Sequence, residues 1–499
     1  MPAEQISSPA VPELPGGLSG RSVHMVGIKG NGMAALAEVL AARGATVTGS
    51  DVEEQFQTQQ ILDRLGVVPQ VGFDGPVPEG TDLVVHSTAF QQDNAPQLVA
   101  AARAGVPVLT YPQALGSLSR QMPTVSVTGS HGKSTTTALC ASLVDALGVP
   151  ATVLAGTGMA NLDGAASLNA GDASFVVETC EYHRHFEWIS PSHAVVTSVE
   201  WEHPDTYSSL QEVVAAFASF LRGMAQTGHL IYCADDAGAT TVAEQVAAAR
   251  PDLRLVPYGE AAEGPFSLSG LAAAAGETRF RLAGGVAVGV EEIRLSVPAA
   301  HNALNAAAAV AVAAALHPPP AGDERRWWQT ASRALAEFRG GRRRMELVGE
   351  AAGVTVIDDY GHHPTEIVST LAGLRAFYPG RRLVVDFMSH TYTRTLALLD
   401  EFGAAFADAD VVLLHPVFAS AREQDWLRQR QQTPDEVAGQ LMDAVSATHP
   451  AASYHPSCAD AVSFLLGELR EGDLLVTMGA GDNWQVGREV LRRLGGDSA

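Results

Sequence analysis

Short apolar runs recur along the chain, each closing on glycine or a small polar cluster, with alanine- and leucine-rich stretches between them. The first series starts with Ser22–Gly27 and continues through a helical stretch, Met33–Arg43, and a strand, Ala45–Gly49, that ends at Ser50-Asp51. Leu83–His86 and Val106–Leu109 extend it. Strand and helix alternating in this way predict a parallel sheet with crossover helices. A second series runs through Thr124–Val127, Ser174–Val177, Ala194–Ser198 and Leu230–Cys233, and residues 259–292, with their short alternating runs, predict a small β-insertion. A third follows Phe338-Arg339-Gly340-Gly341, with strands at Val354–Ile357, Arg382–Phe387, Val411–His415 and Leu474–Met478. The pattern predicts an α/β protein of three domains, over residues 21–120, 121–339 and 340–499, behind a proline-rich flexible tail at 1–20.

Composition narrows the class. With 46% hydrophobic and 17% charged residues in 499, the chain has apolar material for several cores. Its 32 Lys+Arg against 55 Asp+Glu give a net charge of −23, and no basic run offsets it. That argues against nucleic acid and against an anionic membrane surface as partners. The four cysteines form no CxxC or CxxH pair, so neither a disulfide framework nor a zinc site is expected. The N-terminal segment lacks a basic stretch followed by an apolar one, and the longest apolar run, near Ala306–Leu316, is shorter than the ~20 residues of a bilayer span. A cytoplasmic protein without stable membrane insertion is expected.

Two glycine loops suggest nucleotides. Gly27-Ile28-Lys29-Gly30-Asn31-Gly32-Met33 joins strand to helix as a dinucleotide turn does, but Lys29 stands where GxGxxG needs its second glycine. A nicotinamide oxidoreductase is therefore disfavoured, and a ligand-free βα turn stays open. Thr128-Gly129-Ser130-His131-Gly132-Lys133-Ser134-Thr135 carries more information. It lies between the strand TVSV and a helical run, and it has the GK[ST] ending of a phosphate loop, although Val127 replaces the first glycine. Backbone amides there cradle phosphate, Lys133 neutralises it, and the Ser134 or Thr135 hydroxyl can hold Mg²⁺. ATP is the expected ligand.

A shortened loop of this kind, opening the second of three α/β domains, resembles the Mur ligase superfamily. These are ATP-dependent enzymes that form amide bonds in peptidoglycan precursor synthesis. The similarity runs from about residue 22 to about residue 488. The front loop and the stretch Asp358-Asp359-Tyr360-Gly361-His362-His363-Pro364 are most similar to the branch that adds L-alanine to UDP-N-acetylmuramate. The resemblance implies a Rossmann-like UDP-binding domain, a central P-loop ATPase-like domain and a C-terminal Rossmann-like domain, with ATP and Mg²⁺ as cofactors. It implies that Gly30, Asn31, Gly32, Met33, Ser50, Asp51, Ser87 and Thr88 meet the UDP-sugar. Gly129, Ser130, His131, Gly132, Lys133, Ser134 and Thr135 would bind ATP together with Asn302, Asn305 and Arg343, the last paired with Arg344 at the hinge. Ser134, Glu178 and His203 would hold the metal, with Lys133, Glu178 and His203 the catalytic set. Tyr360, His362, His363, His390 and Arg394 would close over the substrates.

Each of these has a plainer reading. Glu178 at a strand end can be a solvated charge, His203 before Pro204 a loop residue, and Asn302 and Asn305 helix caps. The chain also departs from the family pattern, with Ser198 and Glu202 in the stretch before His203 and Tyr182-His183-Arg184-His185-Phe186 in place of a more acidic segment. Ser389 and Thr391 stand where proline and arginine are usual. A sister ligase using another amine, and a non-enzymatic nucleotide-binding regulator, are the alternatives. Folate-type polyglutamate ligases share the middle domain but lack a counterpart of residues 22–120.

Overall fold

The computed structural model describes Leu14 and residues 17–90, 95–204, 206–274, 276–419 and 421–496. Of the tail expected over 1–20, residues 1–13, 15 and 16 lie outside the described residues. Leu14 is buried and its amide donates to Ser117 Oγ at 2.7 Å, so that point of the segment is anchored. The chain forms two compact units. One contains the residues up to Val199 with Val214–Ser267 and Ala307–Ala334, and the other contains Glu200–Val213, Leu268–Ala306 and the chain from Leu335 onward.

The first unit holds two sheets. Strands β1 (Ser22–Val26), β2 (Thr46–Asp51), β3 (Gln70–Val71), β4 (Leu83–His86) and β5 (Val108–Thr110) are all parallel, in the order β3-β2-β1-β4-β5. The second sheet comprises β6 (Thr124–Thr128), β7 (Ala151–Met159), β8 (Ala165–Asn169), β9 (Ser174–Glu178), β10 (His193–Val196), β11 (His229–Cys233) and β12 (Arg254–Tyr258). Its order is β12-β11-β10-β6-β9-β7-β8, with only β8 antiparallel. The phosphate-loop strand β6 is buried along its whole length, with neighbours on both sides, as a central parallel strand must be. Glu38, on the helix Asn31–Ala42, accepts from the amides of Ala166 and Ser167 at 2.8 and 2.9 Å, tying that helix to β8.

The second unit holds β13 (Leu268–Ala274), β14 (Glu277–Leu282) and β15 (Ile293–Leu295), an antiparallel sheet. The insertion expected over 259–292 is thus a sheet over 268–295, interrupted by a short helix, Ala283–Ala287. The C-terminal sheet comprises β16 (Glu346–Ala351), β17 (Val354–Asp359), β18 (Leu383–Met388), β19 (Val411–Leu414), β20 (Ala452–Tyr454) and β21 (Leu474–Gly479), in the order β16-β17-β21-β18-β19-β20. Alternation along its strands feeds two cores. Ile357, Val385 and Val476 pack with Leu371 of the helix Pro364–Phe377, whereas Val356, Val384 and Leu475 pack with Leu465 and Val490 of later helices. Because β21 enters between β17 and β18, the helix after it, Trp484–Leu494, packs on the face opposite the helices after β17 and β18, which makes the carboxyl edge of these strands a topological switch point.

Beneath that edge lies a buried pair, His415 Nε2 and Asp386 Oδ1 at 2.6 Å, with neither side chain accessible. Burial disfavours the imidazolium, yet the Asp386 carboxylate, assisted by Asp482, raises the His415 pKa overall. The pair's contribution is therefore complete below the ordinary histidine value and is lost as pH rises through the raised one. Asp386→Asn, measured by denaturant unfolding near pH 6, is expected to lose about 3–5 kcal/mol. The difference from wild type should shrink at alkaline pH, and an unchanged midpoint at pH 6 contradicts the assignment.

Candidate active site

The phosphate loop is built by packing that requires glycine. Gly129 has φ +137°, and a Cβ there would stand 2.1 Å from Thr197 Oγ1 and 2.9 Å from the amide of Ser198. Gly132 adopts φ +79° and starts the helix Lys133–Ala146, which has no side-chain cap. Its first turn therefore presents the positive end of the helix to an anion. The loop is braced from β10. Ser130 N donates to Ser198 O at 2.8 Å, His131 N to Ser198 Oγ at 3.0 Å, and Thr197 Oγ1 to Thr128 O at 3.2 Å. These bonds explain why β10 stops at Val196 rather than at Ser198, since Thr197 and Ser198 turn to serve the loop.

The Lys133 ammonium donates to Gly129 O, to Ser130 O at 2.9 Å and to Glu181 Oε2 at 3.0 Å. Glu181 is buried, so the pair fixes a cation beside the helix N-terminus. Ser134 Oγ donates to Glu178 Oε1 at 3.0 Å, and Gly156 N donates to Glu178 Oε2 at 2.7 Å. Two of the three expected metal-binding residues thus meet through oxygen atoms, the donor type Mg²⁺ prefers.

In the front loop, Gly30 precedes the helix that begins at Asn31, and again no side chain caps it. A Cβ on Gly32 would lie 2.7 Å from the Tyr111 ring, so that glycine serves close packing. Lys29, the residue that breaks the dinucleotide pattern, donates through Nζ to the carbonyls of Val52 and Glu54 at 2.6 and 2.7 Å. Asp51 accepts from Lys29 N at 2.6 Å, and Ser50 donates to Gln97 Oε1 at 2.6 Å. Both side chains are buried and hydrogen-bonded inside the fold. Ser87 Oγ accepts from Ala89 N at 3.3 Å, and Thr88 is half-buried in the same turn.

Asn302 and Asn305 lie in the first turns of the helix Ala300–Leu316. Asn302 Nδ2 donates to Pro298 O at 2.6 Å and Asn305 Nδ2 to Asn302 Oδ1 at 3.1 Å. Arg343 is engaged within the C-terminal part of the fold. It is buried, and it donates through Nε to Asp358 at 3.1 Å and through Nη2 to Gly479 O at 2.7 Å and Asn483 Oδ1 at 3.2 Å. Its guanidinium ties the end of β17 to the end of β21. Arg344 lies over the Tyr360 ring, 5.3 Å from its centroid.

At the carboxyl ends of the C-terminal strands the rings form a row. Tyr360 meets His362 at 5.1 Å, His362 meets His390 at 5.2 Å, and His390 stacks on Phe418 at 6.1 Å. Burial, reinforced by Arg394, pushes His362 well below the ordinary histidine value and His390 down to about 3. Both imidazoles are neutral at neutral pH. Asp359 is raised to about 6 by burial and accepts from Met345 N and Gly361 N, so it shapes the turn. His363 caps the helix Pro364–Phe377 in a capping box with Glu366. Arg394 pairs with Glu202 at 3.4 Å and contacts His390 Nδ1 at 3.4 Å. His203, at φ +55°, closes a loop whose carbonyl accepts from Thr206 N and Tyr207 N. Thr391 caps the helix that carries Arg394, accepting from Arg394 N at 3.4 Å.

Comparison with known proteins places this geometry. A model described as "Mur ligase family, catalytic domain" matches residues 22–122, "Mur ligase middle domain" matches 127–313, and "Mur ligase, glutamate ligase domain" matches 343–481. The UDP-N-acetylmuramate–L-alanine ligase of Treponema pallidum is 45% identical over 482 residues, covering 96% of this chain and 97% of that protein. The chain belongs to the Mur ligase family. A ligase of the same name from Desulfitobacterium hafniense is 35% identical over 94% of this chain and 99% of its own. The crystal structure of UDP-N-acetylmuramate-alanine ligase from Thermotoga maritima superposes with a TM-score of 0.74 at 25% identity, covering 95% of this chain and 98% of that one.

The three-domain α/β architecture expected from the sequence is thereby established. Mur ligases are ATP-dependent, which accounts for the phosphate loop. No helix among the described residues is long and apolar enough to cross a membrane. Sequence reasoning noted Ser198 only as a departure and Thr197 only as part of the strand Ala194–Ser198, and missed both as braces. Their signal was a pair of small hydroxyl residues at the end of a strand that neighbours β6. Gly129→Ala displaces those braces, and ATP-dependent turnover is expected to fall about 100-fold, the cost of misplacing reacting groups by ~1 Å. Steady-state kinetics check this, and retained turnover contradicts it.

Proposed function

We propose that this chain joins L-alanine to the lactyl carboxylate of UDP-N-acetylmuramate, using ATP, in peptidoglycan precursor synthesis. The observation that carries the reading is the 45% identity, over nearly the full length of both chains, to a ligase of that name. In this reading residues 21–120 bind the UDP-sugar, 121–339 bind ATP and 340–499 bring the amine. The Gly30–Met33 loop and Ser87-Thr88 receive the UDP-sugar, while Ser50 and Asp51 hold the loops that do so. Asn302 and Asn305 are assigned to contact the adenine. The reaction belongs in the cytoplasm, where the net charge and the composition suit a small-molecule enzyme.

The donor carboxylate attacks the γ-phosphorus and ADP leaves. The amine nitrogen then attacks the acyl carbon, phosphate departs with the bonding electrons of the acyl C–O bond, and the proton lost from nitrogen passes to the departing phosphate or to water. Ser134 and Glu178 are the residues that would hold Mg²⁺, and a hydroxyl beside a carboxylate fits that ion. When bound, Mg²⁺ neutralises charge on the phosphoryl oxygens. Lys133, oriented by Glu181, supplies the fixed positive charge toward which the transferring phosphoryl moves. Arg394 offers a cation to the amino acid's carboxylate. The neutral rings of His362 and His390 do not compete with it for that anion. The test is ADP release by the purified chain with ATP, Mg²⁺ and UDP-N-acetylmuramate. It should depend on L-alanine, and release indifferent to the sugar nucleotide would overturn the reading.

A further inference from the structure

A narrow crevice in the second unit is lined by Trp201, Glu202, His363, Arg394, Ala397 and Leu398. Its polar wall suits a free amino acid. Arg394 is 4% exposed and paired with Glu202, yet its Nε–H has no hydrogen-bond partner among the described residues. That leaves a buried donor for a carboxylate and, in Glu202, an acceptor for an ammonium. The lining also includes the apolar groups of Trp201, Ala397 and Leu398, against which the side chain of a bound amino acid would lie.

Trp201 is unusual among these groups because it is rigid and exposed at once. Its Nε1 donates to Tyr207 O at 3.0 Å. Tyr207 is buried, and its amide is held in turn by His203 O at 2.9 Å. The indole nevertheless leaves 38% of its surface uncovered. A large ring pinned in the lining of a crevice that also includes the small Ala397 would act as a fixed stop. We propose that Trp201 is a specificity-determining residue whose indole limits the amine to a side chain about the size of a methyl group. The inference rests on the ligase reading above and adds to it a position that carries no catalytic charge.

The test measures kcat/KM for L-alanine, L-valine and L-leucine in the full chain with ATP, Mg²⁺ and UDP-N-acetylmuramate. Trp201→Ala is expected to lower the preference for L-alanine over L-valine by about 10-fold or more, the scale on which a pocket distinguishes one or two methylene groups. The change should lie mainly in the KM of the larger amine, and Trp201→Phe should fall between. Trp201→Leu carries the same test should the alanine variant not fold. A preference unchanged in the variants, with L-alanine still used, overturns the role of Trp201 alone. Wild-type protein that releases no ADP with any amine overturns the ligase reading and the inference with it.

Discussion

Lys133→Ala is expected to abolish amine-dependent ADP release, lowering turnover by at least about 10³-fold, while binding of the UDP-sugar persists. The ammonium is the fixed cation of the phosphate loop, placed by two loop carbonyls and by Glu181 at 3.0 Å. Nothing else on the loop carries a permanent positive charge. Its removal strands Glu181, a buried carboxylate, and breaking such a pair costs about 3–5 kcal/mol. The informative protein is therefore the double variant Lys133→Ala with Glu181→Gln, which removes both charges together. Thermal unfolding near that of wild type, joined to absent turnover, is the expected pair of results. Turnover within tenfold of wild type would remove Lys133 from phosphoryl transfer.

Glu178→Gln has the second largest expected effect. Glu178 receives Ser134 Oγ on one oxygen and Gly156 N on the other. Glutamine keeps the size and one carbonyl acceptor, so β9 and the loop at Gly156 should survive. It lacks the charge and the second oxygen that a hard cation requires. The Mg²⁺ concentration giving half-maximal ADP release should rise more than about 10-fold, and maximal turnover should fall about 100-fold or more. A variant with an unchanged Mg²⁺ requirement would make Glu178 a structural brace for Ser134 and Gly156.

What could be read from the sequence was local. The phosphate loop announces itself within a dozen residues, because strand, GK[ST] and helix follow one another without interruption. Sheet strands such as Leu83–His86 and Leu474–Met478 stand out because burial on both faces makes them continuous apolar runs. The antiparallel partners β8 and β16 were not legible, since their burial is partial and their alternation too short to separate from loop. The fate of Arg343 depended on Gly479 and Asn483, which lie 136 and 140 residues away. No spacing rule distinguishes an arginine that meets phosphate from one that clamps two strands. Separation along the chain likewise hid the bracing of the phosphate loop by Thr197, 69 residues from Thr128, and the burial of Asp386 against His415, 29 residues on. Thr391, which looks like a lost arginine in the sequence, is a helix cap in the fold, so the departure has a structural use.

The most direct test of the central claim is ADP release by wild-type protein in the presence of ATP and Mg²⁺, with UDP-N-acetylmuramate and L-alanine supplied separately and together. Release that requires both is the predicted result. Release that requires the sugar nucleotide with a different amine, or that proceeds without the sugar nucleotide, would contradict it.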